Sequence, residues 1–214
     1  MEFSLIQKVV VWALPVLFAI TVHEVAHGWV ASKFGDQTAR LAGRLTLNPI
    51  KHIDLVGTII IPLVLLLVSP VIFGWAKPVP VDARNLHNPR RDMVIVALAG
   101  PVSNLLMAFI WALLARWALY SPPWFSTPLE AMGWAGIEIN VMLAVLNCLP
   151  IPPLDGGRAL SNILPARWSW HYYRFEPYGF FVLLILMFTG LLSYIMVPPM
   201  IFLIQGIASL VGLK

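Results

Sequence analysis

The chain has 214 residues, 59% of them hydrophobic and 11% charged, with a mean hydropathy of +0.82. Soluble domains carry about 25% charged residues, so this composition excludes a soluble enzyme and reads as an all-α polytopic membrane protein. The net charge of +4 sits in short hydrophilic connections such as ARNLHNPRRD, which is a topology signal rather than a nucleic-acid footprint, and the single cysteine, Cys148, excludes an intrachain disulfide and a thiolate-only zinc site.

Residues 4–34 predict one long helix with Pro15 as a kink and Gly35-Asp36 as its stop. This run lacks an A-x-A-like cleavage site and carries HEVAH, so it reads as a retained span and not a signal peptide. Basic, Pro- and Gly-rich connections flank residues 55–73, an apolar stretch interrupted by Pro62 and Pro70. With Lys51 before it and Lys77, Arg84, Arg90 and Arg91 after it, both flanks face the cytoplasm, which predicts a re-entrant or broken hairpin. Residues 93–119 predict a span carrying Gly100-Pro101 and Asn104. The aromatic stretch SPPWFSTPLEAMGW has no Lys or Arg and suits a loop at the outer interface. Residues 131–149 return inward, ending in NCLPIPPLDGGR, and the basic segment with Arg158, Arg167 and Arg174 stays inside. The apolar tail over 177–213 is broken at Gly190 and at Pro198-Pro199, as two short helices or one helix plus a surface helix. The expected architecture is a single membrane-embedded domain over 1–214, with a three-helix catalytic core at about 4–160 and C-terminal membrane segments at about 177–213.

His23, Glu24 and His27 are costly inside such an apolar helix, by roughly a few kcal/mol for a carboxylate at the bilayer centre, and at that depth they are functional candidates by default. The H-E-x-x-H spacing puts both histidines one turn apart on one face, where they can share a metal ion, with the glutamate beside it as a base. A catalytic zinc then needs one more protein ligand. The candidates near membrane segments are Asp155, Glu138, His52, Asp54 and Cys148, and Asp155 is best placed, in an irregular segment at the inner end of a helix.

Three motifs in order, His23-Glu24-x-x-His27, Gly100-Pro101-x-x-Asn104 and Asn147-x-x-Pro150-x4-Asp155-Gly156, resemble the site-2 protease family of intramembrane zinc metalloproteases. The resemblance implies one zinc ion per chain, held by His23, His27 and Asp155, with Glu24 as general base and acid. It implies that Asn147 and Asn104 position the substrate backbone or stabilise the oxyanion. It also implies a short membrane-associated β-element at GWAKPVPV, covering Gly74, Trp75, Ala76, Lys77, Pro78 and Val79, whose edge could pair with an unwound substrate. The expected partners are transmembrane protein substrates and the lipid bilayer, with no nucleic acid. The expected location is the plasma membrane of a prokaryote, with the site nearer the cytoplasmic side. No hydrophilic stretch approaches the roughly 50 residues of a small domain, so no PDZ or CBS insertion is expected.

The alternative is a membrane zinc carrier or sensor using the same ligands, and the placement of Glu24 as a base favours the enzyme. His52 and Asp54 read as a polar cluster at a helix start, and His171 as part of an interfacial aromatic belt. Arg116 and Glu138, outward of the site on antiparallel helices, are expected to pair or to snorkel.

Overall fold

A computed structural model describes residues 4–61, 64, 74 and 76–213. Helix α1 (Leu5–Lys33) opens on a capping box, in which Ser4 Oγ accepts from the Gln7 N–H and Gln7 Oε1 from the Ser4 N–H. It contains Pro15 and ends where Gly35 takes a φ of +108°, a left-handed value that glycine tolerates. A one-turn helix α2 (Thr38–Leu41) follows.

Helix α3 (Pro89–Ala118) begins with proline at its first position, where no N–H partner is lost. The same device opens α4 (Pro123–Asn147), so most of the aromatic stretch expected as an outer loop is helix. After a turn come α5 (Asp155–Ile163), α6 (Ala166–Tyr173), α7 (Glu176–Phe188) and α8 (Leu191–Val211). The tail breaks at Gly190, with φ +76°, whereas Pro198 and Pro199 lie inside α8.

Helices α1, α3 and α4 pack against one another, α5 packs on α3, and α8 covers α4 and α3. Small residues permit the close approach: Ala108, Ala112 and Ala115 of α3 are fully buried in one cluster with Ile137 and Val141 of α4 and Met196 of α8. A Cβ on Gly136 would collide with the Trp111 ring. Such interfaces suit membrane helices, where packing rather than a hydrophobic gradient drives association. Large apolar side chains such as Phe18, Leu106, Phe109 and Phe202 stay exposed on the outside. Among the described residues four helices, over Ile6–Lys33, Pro89–Ala118, Pro123–Asn147 and Leu191–Val211, are long and apolar enough to cross a membrane. The protein is an integral membrane protein.

The expected β-element is not present: there is no strand among the described residues. Pro78 and Pro80 have no N–H to give a ladder. The donors beside them are spent inside the fold, the Lys77 N–H on the His52 carbonyl at 2.9 Å and the Val79 N–H on Glu24 at 2.7 Å. Leu55–Ile60 form a short π-helical stretch whose N-cap is Asp54, accepting from the Gly57 N–H at 2.7 Å. The hairpin expected over 55–73 falls largely on residues outside the described ones, as does Trp75.

Candidate metal centre

Two helices meet at this centre. On α1, His23 and His27 are one turn apart and project toward the first residue of α5, Asp155. Asp155 Oδ2 lies 3.1 Å from His23 Nε2 and 3.2 Å from His27 Nε2, and the two Nε2 atoms are 3.1 Å apart. All three residues are buried.

The opposite ring atoms fix which nitrogens carry protons. His27 Nδ1 lies 2.7 Å from the Val96 carbonyl, an acceptor only, so it must donate. Asn104 Nδ2 donates to the Ala19 carbonyl at 3.1 Å and to Asn140 Oδ1 at 2.9 Å, which turns Asn104 Oδ1 toward His23 Nδ1 at 2.6 Å. His23 must therefore also donate from Nδ1. In neutral rings, both Nε2 lone pairs then face the carboxylate, and Asp155 Oδ2 is buried without a hydrogen-bond partner. Three acceptors converging on one point repel each other unless a cation lies between them. Ligands bound to a tetrahedral zinc at about 2.0–2.1 Å are roughly 3.3 Å apart, close to the observed triangle. The donor set, two imidazoles and a carboxylate, fits zinc with an open fourth position.

Glycine makes this cluster possible. A Cβ on Gly100 of α3 would sit 2.5 Å from His23 Cε1 and 2.6 Å from His27 Cε1, so the rings lie directly on its backbone. Gly156 and Gly157 let the start of α5 press on the preceding turn, where a Cβ would come within 2.6 Å of the Cys148 carbonyl carbon and the Pro152 nitrogen respectively. Asp-Gly-Gly therefore opens a helix here.

Glu24 follows His23, and its Oε2 accepts the Val79 N–H. The segment carrying Ala76, Lys77, Pro78 and Val79 thus lies against the site without being a strand. It is stapled there by Arg44, 9% exposed, whose guanidinium donates to the Lys77 carbonyl at 2.7 Å and also reaches Lys51. His52 is buried, 2.9 Å from the Thr46 carbonyl through Nε2, and contributes to this staple rather than to the triad.

Asn104 is fully buried behind His23 with its polar atoms engaged. Asn147 is half-buried, and its amide donates to the Leu143 carbonyl of its own helix at 3.0 Å. Glu138 is exposed, while Arg116 stacks over Tyr120, 5.3 Å from the ring centroid, instead of pairing with it. Sequence reasoning missed Asn140, Arg44 and the packing role of Gly100. Asn140 carried a signal: it is seven residues before Asn147 in an apolar span, two turns along the same face.

A family model described as "Peptidase family M50" matches residues 11–123 and 118–190. YwhC of Bacillus subtilis (strain 168), named as a candidate zinc metalloprotease, is 43% identical over 189 residues, covering 86% of this chain and 83% of the relative. Rip2 of Mycolicibacterium smegmatis, named in the same terms, is 31% identical over 181 residues, 83% of this chain and 66% of its own. MJ0611 of Methanocaldococcus jannaschii, also so named, is 40% identical over 66 residues, 31% of this chain and 32% of its own. No solved structure matches significantly.

Proposed function

The chain belongs to peptidase family M50 and is a membrane zinc metalloprotease, and from that premise we propose that it is an endopeptidase that cuts within the transmembrane segments of other membrane proteins. The observation that carries this reading is the placement of His23, Glu24 and His27 inside α1, a helix of span length, with Asp155 of α5 brought against both histidines. Lys33 ends that helix six residues after His27, so the nearer ligand lies only ~9 Å along the axis from the helix end. Such a site is reached from within the bilayer or from its edge.

In this reading His23, His27 and Asp155 hold one zinc ion. Bound there, zinc would supply Lewis acidity and lower the pKa of water to about 7. Glu24 takes the proton from the attacking water and returns it to the leaving nitrogen as the peptide bond breaks. The Val79 N–H holds the Glu24 carboxylate in place for both transfers. Asn147, half-buried at the end of α4, is the residue offered for the substrate backbone or the oxyanion. Asn104 serves the site from behind His23. A substrate helix conceals its carbonyls in i to i−4 hydrogen bonds and must be locally unwound before it can be cut.

The chain acts as one membrane-embedded peptidase domain over 1–214. The basic connections support a cytoplasmic-side site, and the bacterial and archaeal relatives support a prokaryotic plasma membrane. The test is reconstitution of purified protein in liposomes with a single-span substrate, comparing wild type with Glu24→Gln. Glutamine keeps an oxygen for the Val79 N–H and leaves the triad intact, so zinc content stays at one per chain. Cleavage falls at least about 10²-fold with the loss of the proton carrier. Retained cleavage by the zinc-loaded variant would remove Glu24 from its role.

A further inference from the structure

A line of buried amides runs from the middle of α4 to the metal centre. Asn140 is fully buried, its Nδ2 donates to the Gly136 carbonyl at 2.9 Å, and its Oδ1 accepts from Asn104 Nδ2 at 2.9 Å. Asn104, also fully buried, passes its Oδ1 to His23 Nδ1 at 2.6 Å. Both ends of the line are fixed by groups that cannot reverse. The Gly136 and Ala19 carbonyls only accept, so both amides have one allowed orientation, and the proton on His23 has one allowed nitrogen.

We propose that Asn140 is a positioning residue for the metal centre: through Asn104 it locks the His23 ring in the tautomer that turns the Nε2 lone pair toward the zinc. The proposal rests on the reading of His23 as a ligand. His27 reaches the same tautomer by a shorter route, directly from the Val96 carbonyl on α3. His23 reaches Asn104 of α3 directly and Asn140 of α4 only through it. Without Asn140 Oδ1, Asn104 Nδ2 keeps only the Ala19 carbonyl as acceptor, at 3.1 Å, and the amide is held less firmly against His23. Partners that orient a metal-binding histidine in this way typically contribute 10- to 100-fold to metal affinity. A residue that merely joins α3 to α4 would change folding without changing affinity per folded molecule.

The experiment measures zinc affinity of the full-length protein in detergent by competition with a chromogenic chelator. Asn140→Leu and Asn140→Ala are expected to weaken zinc binding by about 10- to 100-fold. Asn140→Asp, as the neutral acid that full burial favours, keeps an oxygen acceptor for Asn104 and an O–H donor for the Gly136 carbonyl, and is expected to stay near wild type. In an Asn104→Leu background, Asn140→Leu is expected to add no further loss, because the line is already cut. If the Leu and Ala variants fold poorly, ¹⁵N-histidine spectra of zinc-loaded wild type read the same feature, with His23 expected to carry its proton on Nδ1. Wild-type affinity in folded Asn140→Leu or Asn140→Ala, or a His23 proton on Nε2, overturns the proposal. Undiminished zinc binding by His23→Ala would instead overturn the ligand reading on which it rests.

Discussion

The rings of His23 and His27 lie on the bare backbone of Gly100, and this contact decides how much freedom the metal centre has. Gly100→Ala would drive a methyl group into both rings. Overpacking of this kind typically costs about 1–3 kcal/mol, and because α1 and α3 are held by many other contacts, the rings rather than the helices should move. The expected result is a folded protein with zinc affinity lowered at least tenfold, read by chelator competition; unchanged affinity would mean that the cradle is not needed. At this scale the sequence was partly legible. The H-E-x-x-H spacing exposes His23, Glu24 and His27 because it is local to one helix. The duties of Gly100, Asn140 and Val79 depend on which face of one element meets another, and no local pattern encodes that.

At the scale of elements, two joints support the site from outside. The turn ahead of α5 is gripped from the C-terminal side: Tyr172 of α6 donates to the Pro150 carbonyl at 2.8 Å, and α7 presses Gly179 onto the Pro152 carbonyl, where a Cβ would clash. Gly179→Ala should therefore push this turn, and Asp155 with it, away from the histidines. Zinc affinity should fall while the helical content stays the same by circular dichroism; normal zinc binding would leave the tail with no part in the site. The second joint is Asp36, fully buried just after α1. Burial alone would raise its pKa, but hydrogen bonds from the Thr38 hydroxyl and N–H, Asn85 Nδ2 and the Asp82 N–H outweigh it and hold the carboxyl below its ordinary value. A carboxyl depressed in the folded state stabilises fully above its unfolded pKa of about 3.9, and that stability is lost as pH falls through the folded value. Asp36→Asn should thus lower the thermal midpoint at pH 7, with the gap from wild type closing below about pH 4. A gap of constant size across pH would contradict this. The hydropathy pattern announced α1 and α3. It missed the early start of α4, because Pro123 and Pro128 suggest a loop until proline's fitness for a helix start is considered.

For the whole molecule, apolar composition made the membrane architecture legible, and His23, His27, Asn104 and Asp155, far apart in sequence, lie together once the helices pack. The β-element failed because its prediction rested on resemblance alone, while Pro78, Pro80 and the committed donors of Lys77 and Val79 argue against an open edge. Glu24 is held by this segment, His23 and His27 lie on Gly100, and the turn before Asp155 is gripped by the C-terminal helices, so the proposed catalytic groups draw on most of the chain. The proposed function stands or falls on whether this zinc centre cuts inside membrane helices. Its most direct test is incubation of detergent-purified protein with a panel of transmembrane peptides carrying soluble flanks, with cut sites mapped by mass spectrometry. Cuts within the apolar segment that vanish on chelation and in Glu24→Gln are expected; cuts confined to the soluble flanks, or cutting that survives zinc removal, would rule the proposed function out.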